Sequence, residues 1–249
     1  MNEPYGPGSE PENNTFYATQ GPDGVFNTHA RYETLSEYTA KTFGWMFAGL
    51  MVTFLVALAG YTSGIGILLL RSPILFLGLA IAEIAVVVGM SARIHKIGVS
   101  TARGMFFLYA ALNGAVFSCY FYLYQMFDLV LAFGATALYF GIMAAYGYLT
   151  KQDLSGWAKP LMFGLIAMMI VSVIGMFFGG VNILLCCLGI VLFACYTAYD
   201  TQKIKAAYFA YAGNPELAKK ASVFSALELY LDFINLFLYI LRIFSRSRN

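Results

Sequence analysis

The chain has 249 residues, of which 60% are hydrophobic and 11% are charged, and its mean hydropathy is +0.70. A soluble domain carries about 25% charged residues, so this composition indicates a protein whose surface faces lipid more than water. The net charge is only +2, which argues against nucleic acid as a partner.

The first 35 residues differ in composition from the rest of the chain. They are rich in Gly, Pro, Asn and Glu and hold no apolar run, whereas a signal peptide needs an apolar region of about 7–15 residues. We therefore expect a flexible cytosolic tail over residues 1–35 and a membrane domain over residues 36–249.

Seven segments are apolar over the roughly 20 residues that a helix needs to cross a hydrocarbon core of about 30 Å. They predict an all-α integral membrane protein built as a bundle of seven transmembrane helices. The connections are short except at residues 201–221, where a Gly-Asn-Pro breaker precedes a predicted short helix. The predicted spans are 41–61, 74–92, 104–125, 129–149, 161–179, 182–201 and 222–244.

The distribution of Lys and Arg predicts the orientation of these spans. With the N-terminus in the cytosol, most of the fifteen lysines and arginines fall in cytosolic segments. Arg71 and the three arginines after residue 241 fall on the other side, and the side of the C-terminus stays open. The compact loops and the lack of a targeting signal favour a multi-pass protein of a bacterial plasma membrane.

Cysteine and histidine offer no evident chemistry. All four cysteines fall within apolar spans without C-x-x-C spacing, so we interpret them as small buried hydrophobic side chains. The two histidines are far apart in the sequence, so no zinc or haem site and no resident cofactor is expected.

The last span carries a stripe of polar residues. A polar stripe on a spanning helix cannot face lipid, because its groups would stay unpaired there. This helix is therefore predicted to line either a polar cavity or a protein-packed interior. The stripe consists of Ser225, Glu228, Asp232, Asn235, Tyr239 and Arg242, which are spaced by three or four residues.

Asp232 lies deep in this span, where an ionised carboxylate costs about 2.5–3.5 kcal/mol on insertion scales and usually has a partner. Asp200 ends the preceding, antiparallel span and reaches a similar depth if it lies deeper than the hydropathy edge indicates. Two adjacent carboxylates in low dielectric share a proton over part of the physiological pH range. Such a pair attracts cations when ionised. The alternative is a structural pair that only fixes helix packing.

Three stretches resemble the Bax inhibitor family, also known as transmembrane Bax-inhibitor-motif proteins. They are "GWMFAGLMVT" at residues 44–53, "YDTQKIK" at 199–205 and "ALELYLDFINLFLYILRIF" at 226–244. The resemblance covers the chain from about residue 35 to its end. It implies a seven-helix fold with the last helix at the centre, and a pH-sensitive calcium leak rather than an enzyme.

The resemblance also implies roles for particular residues. By position, Asp200 and Asp232 are the two aspartates that gate the leak and bind calcium weakly, and Arg93 is the arginine that latches to them. Calcium is then the transported ion and not a cofactor, since two carboxylates fall short of the six to eight oxygens of a Ca²⁺ site. Glu83, in the second span, Glu228 and Asn235 are expected to line the polar path. Glu228 has no counterpart that we can transfer, and it adds a third carboxylate.

Two other functions fit parts of the sequence. Presenilin-type intramembrane proteases also place the first catalytic aspartate within "YD", but here "LYL" stands where they have small residues before the second, and no Pro-Ala-Leu loop follows. The second alternative is a membrane-embedded regulator or scaffold that binds other membrane proteins, since family members are linked to cell-death suppression and to a membrane-anchored AAA protease. Deleting residues 1–35 distinguishes a leak from a partner contact made by the tail.

Overall fold

A computed structural model describes residues 19–20, 26–27, 33–93, 96–177, 183–211 and 213–246. The chain divides into two compact units, residues 1–34 and 35–249. In the first unit, Thr19–Gln20 pairs antiparallel with Phe26–Asn27. Apart from this pairing and residues 33–35, the tail predicted over residues 1–35 lies outside the described residues, and its flexibility stays a prediction.

The described part of the second unit is helical. Large apolar side chains are exposed on its helices, among them Phe47, Ile74 and Leu138, as expected for a surface in contact with lipid hydrocarbon. The helices are α1 (Leu35–Thr62), α2 (Ile65–Arg71), α3 (Pro73–Ala92), α4 (Val99–Phe117), α5 (Tyr120–Leu123), α6 (Met126–Leu149), α7 (Ala158–Phe177), α8 (Ile183–Ala210) and α9 (Pro215–Arg246), with a 3-10 turn at Ser155–Trp157.

Seven helical segments of the described residues are long and apolar enough to cross a membrane. They are α1, α3, α4 continued by α5, α6, the 3-10 turn with α7, α8 and α9. This confirms the predicted fold class, an all-α bundle of seven membrane-spanning helices. The short helix α2 was not predicted. It begins after Gly64, whose φ of 79° lies in the left-handed region that glycine adopts without steric cost.

The structure corrects the predicted connection at residues 201–221. Helix α8 continues through "TQKIK" to Ala210, and α9 begins at Pro215, so the connection covers only residues 211–214. Proline is well placed in the first turn of a helix because its missing N–H has no intrahelical partner there. The Asn214 side chain caps the same turn, since its Oδ1 accepts a hydrogen bond of 3.1 Å from the Leu217 N–H. The expected separate short helix is therefore the beginning of the last span.

Helix α9 packs against α1, α4, α6 and α8, whereas α3 packs against α4 and α2. In the most apolar stretch of α9, 67% of the residues are buried, the largest share among the seven spans. Fully buried side chains on this helix include Leu229, Tyr230, Leu236 and Leu241. The central position of the last helix stays a prediction of the family resemblance.

Helices α6 and α8 approach each other closely at Gly147. A methyl group on Gly147 would meet the backbone of Ala198, at 2.8 Å from both its carbonyl carbon and its Cα. Glycine at a contact between membrane helices allows the backbones to come this near. Ala198 lies two residues before Asp200, so this glycine sets the spacing of the two helices beside that carboxyl group.

Before α7, the Asp153 side chain accepts two hydrogen bonds from Ser155, at 2.9 Å from its N–H and 2.8 Å from its O–H. These bonds lower the pKa of the Asp153 carboxyl below its ordinary value. Because this pKa is lower in the folded chain than in the unfolded chain, the ionised Asp153 carboxylate stabilises the folded chain at pH values above the unfolded pKa. This stabilisation is lost as the pH falls through the folded pKa. We expect Ser155→Ala to raise this pKa in an NMR titration with labelled aspartate. An unchanged pKa would contradict the assignment.

Candidate functional site

The structure brings Asp200 and Asp232 together between α8 and α9. The two side chains are buried, at 6% and 4% exposure, and their carboxyl groups lie close enough to interact electrostatically. The Oδ2 atom of Asp232 is buried and receives no hydrogen bond from an N–H or O–H of the described residues. The structure thus places two neighbouring carboxyl groups in the interior of the bundle.

A lysine and a glutamate lie at one end of this aspartate pair. Lys203 Nζ is 3.9 Å from Asp200 Oδ1 and forms an ion pair with Glu228 Oε1. The side chains of Lys203 and Glu228 are 42% and 35% exposed, so this end of the pair is the more polar and more accessible one. Glu228 and Asp232 are four residues apart on α9 and therefore lie on the same face of the helix.

The remaining polar neighbours are two tyrosines and one amide. Tyr196 lies close enough to both aspartates to interact with them electrostatically, and Tyr199 interacts in the same way with Lys203. The Asn235 side chain donates its Nδ2 hydrogen bond to the Leu231 carbonyl oxygen at 2.8 Å. Asn235 thus satisfies its amide within α9, and the polar stripe is not one continuous hydrogen-bonded chain.

Arg93 is not brought to the aspartate pair. It lies at the C-terminal end of α3 with an exposed side chain, and α3 packs on α4 and α2 instead of α8 or α9. The ion pairs of the described residues include none between Arg93 and Asp200 or Asp232. The latch expected from the resemblance is therefore not formed in this conformation.

Glu83 also lies apart from the pair, on α3. It is half-buried, and its Oε1 atom is buried without a hydrogen-bond partner among the described residues. It lies close enough to Tyr109 on α4 and Tyr230 on α9 to interact with them electrostatically. The structure thus divides the predicted polar path into the aspartate pair with Lys203 and Glu228, and a separate group around Glu83.

The comparison with protein families tests the resemblance of the three motifs. Residues 35–249 match the family described as "Inhibitor of apoptosis-promoting Bax1". The chain belongs to the Bax inhibitor family. This match confirms the resemblance seen in the three motifs, and it begins at the first residue of α1.

Three bacterial proteins illustrate the relatives of this Bax inhibitor family member. It is similar to the "Inner membrane protein YbhL" of Escherichia coli K12, with 37% identity over 86% of this chain and 93% of the relative. An uncharacterized protein of Borreliella burgdorferi is 36% identical over 86% of this chain and 94% of the relative. An uncharacterized membrane protein of Streptococcus pyogenes is 32% identical over the same shares. Together with the seven spans, these matches show a multi-pass integral membrane protein.

A second buried polar group was missed by the sequence analysis. The hydroxyl groups of Thr53 and Tyr230 hydrogen-bond at 2.6 Å and connect α1 to α9, and Asn113 Nδ2 donates to the Tyr109 hydroxyl at 3.2 Å on α4. Averaged hydropathy does not reveal these residues, because each is a single polar residue within an apolar run. The position of Tyr230, two residues before Asp232 in "LYLDF", was the available signal.

The four cysteines are free thiols, but they do not share one environment. Cys119 and Cys186 are buried and Cys195 is half-buried, whereas Cys187 is exposed. The prediction of small buried side chains is thus wrong for Cys187, because adjacent residues on a helix point about 100° apart.

Within the described residues, no group of three or more His, Cys, Asp or Glu side chains is arranged to hold a metal ion.

Proposed function

We propose that this Bax inhibitor family protein is a pH-responsive cation leak for Ca²⁺, gated by the Asp200–Asp232 pair. The observation that carries the proposal is the burial of these two interacting carboxyl groups on two adjacent membrane-spanning helices. The strength of such a contact depends on how many protons the two carboxyl groups hold. Contacts between apolar side chains, in contrast, do not depend on pH.

The number of protons on the two carboxyl groups would change how α8 packs against α9. With one proton, the two groups attract each other through a hydrogen bond. Without it, two negative charges lie side by side in a region of low dielectric, where their repulsion is strong. A difference of a few kcal/mol between two helix arrangements is enough to exchange their populations. In the second arrangement, Arg93 is the proposed counter-ion of the pair.

The charged groups around the aspartate pair favour transient rather than tight binding of a cation. Among the described residues, Lys203 on α8 and Glu228 on α9 are charged groups that interact with the pair, and the Tyr196 hydroxyl interacts with it as well. Three carboxylates attract a divalent cation, but a tight Ca²⁺ site takes six to eight oxygens. We therefore propose weak, transient binding of Ca²⁺ at Asp200 and Asp232 during transport.

Calcium entry into dye-loaded proteoliposomes tests the proposal. We expect the protein to admit Ca²⁺ faster than empty liposomes do, with a rate that changes between pH 5 and pH 8. Asp153→Asn removes a titratable carboxyl outside the spans and should leave this pH profile unchanged. A rate equal to that of empty liposomes at every pH would refute the leak.

A second candidate function is a regulator that binds another membrane protein through its N-terminal segment. It is favoured by the division of the chain, in which residues 1–34 form a unit separate from the helices. Because α1 begins at Leu35, deletion of residues 1–34 leaves every span intact. We expect the truncated chain to keep its Ca²⁺ flux. Loss of the flux in a folded truncated protein would assign the tail a part in transport.

A further inference from the structure

A cavity of about 370 Å³ lies between α1, α4, α5, α6 and α9, on the side of the bundle where α6 begins. Aromatic and aliphatic side chains form its walls, including Phe54 on α1, Phe117 on α4, Phe133 on α6 and Phe237 on α9. The hydroxyl group of Thr53 also lies at the wall, but it is occupied by its hydrogen bond to Tyr230. The cavity therefore offers an almost purely apolar surface.

The cavity is continuous with the lipid-facing surface of the protein. Phe47, Phe54 and Val130 line it and are 59%, 52% and 65% exposed, so its mouth opens sideways between α1 and α6. Its back wall is formed by buried residues of α9, Phe233, Ile234 and Phe237. A molecule that enters from the bilayer thus reaches buried residues of α9.

The chemistry of the walls selects the occupant. Water leaves apolar cavities empty because it finds no hydrogen-bond partners in them. An empty cavity forfeits the dispersion contacts of its lining atoms. The medium outside the mouth is lipid hydrocarbon, and the volume lies in the range of about 300–1,000 Å³ that is typical of ligand sites. We propose that this cavity binds one acyl chain of a membrane phospholipid.

The bound chain would lie against the helix that carries Asp232. Phe233, on the back wall, follows Asp232 in the sequence, and Tyr230, which precedes it, holds the wall residue Thr53. The acyl chain thus fills the space between α1, α6 and the helix that carries Asp232. This inference concerns binding alone and does not depend on the proposed leak.

Photochemical labelling tests the proposal on the full chain in liposomes. The probe is a phosphatidylcholine with a diazirine in its acyl chain, added to unlabelled phospholipid, and the labelled residues are mapped by mass spectrometry. We expect label on Phe233, Ile234 and Phe237 in addition to exposed residues of the spans. Label confined to exposed residues would overturn the proposal, as would a second copy of the chain cross-linked within the cavity.

A pair of tryptophan variants on α6 sharpens the test. Val130→Trp places a large side chain at the mouth, whereas Leu138→Trp changes a similarly exposed residue, 69% against 65%, that does not line the cavity. We expect the label on the back wall to be lost in Val130→Trp and kept in Leu138→Trp. Undiminished labelling in Val130→Trp would contradict the site. If Val130→Trp does not fold, the labelling map of the unmodified chain still decides.

Discussion

Gly147→Ala is expected to destabilise the helix bundle by about 1–3 kcal/mol, the usual cost of inserting a methyl group into a packed interior. The added Cβ would lie 2.8 Å from the carbonyl carbon and the Cα of Ala198, and nearer still to its carbonyl oxygen. These are backbone atoms of α8, which cannot rotate aside as a flexible side chain can. The two helices must therefore separate next to Asp200, so we also expect an altered Ca²⁺ flux.

The same helix provides a matched control. A methyl group on Gly141 meets nothing within 4 Å, so Gly141→Ala makes the same chemical change on α6 without a clash. Alanine favours a helix over glycine by about 0.8–1.0 kcal/mol, which predicts unchanged or slightly raised stability. Thermal unfolding of the purified proteins in one detergent measures the difference. Equal melting temperatures for the two variants would show that α6 and α8 do not meet as described.

Lys203→Met and Glu228→Gln are expected to shift the pH midpoint of the leak in opposite directions. Lys203 is the cation nearest to the aspartate pair, and without it the ionised carboxylates lose a favourable neighbour. The pair then keeps its proton to higher pH, and the midpoint rises. Removing the negative charge of Glu228 makes ionisation of the pair easier and frees Lys203, so the midpoint falls. An opposite charge within about 4–6 Å shifts a carboxyl titration by 1–3 pH units, and partial exposure places both effects near about one unit.

Lys205→Met is the control for these two variants. Lys205 lies two residues after Lys203 on α8, but its Nζ donates to the Tyr148 carbonyl oxygen and lies over the Tyr148 ring, at 4.5 Å from the ring centre. The Lys205→Met variant therefore removes one positive charge from α8, as Lys203→Met does, without changing a neighbour of the aspartate pair. We expect its pH midpoint to equal that of the unmodified chain in the proteoliposome assay. Three identical midpoints would show that Lys203 and Glu228 do not act on the gate.

The sequence predicted the spans well because each is a long apolar run, and composition alone decides whether such a run can cross a bilayer. It failed at the boundary between α8 and α9. Residues 201–210 carry Lys203 and Lys205, and the low hydropathy of this segment indicates a loop. Long lysine side chains can, however, extend to polar surroundings while their backbone stays helical, as it does here. The condition for a contact between Asp200 and Asp232 was that α8 continues past residue 201, as it does.

Other features of the site depend on three-dimensional packing that a sequence does not contain. The hydrogen bond between Thr53 and Tyr230 joins residues that are 177 positions apart, and neither belongs to a polar cluster in the sequence. The distance of Arg93 from the aspartate pair follows from the packing of α3 on α4, which hydropathy does not specify. The apolar cavity has no sequence signature, since its walls come from five helices.

The most direct test of the gate compares Ca²⁺ entry into proteoliposomes between pH 5 and pH 8 for the unmodified chain, Asp200→Asn and Asp232→Asn. Asparagine has nearly the shape of aspartate, donates a hydrogen bond to the remaining carboxylate and does not titrate. We predict that each variant loses the pH dependence and admits Ca²⁺ at one rate throughout the range. A variant that keeps the pH profile of the unmodified chain would contradict the account and leave the aspartate pair as a packing contact.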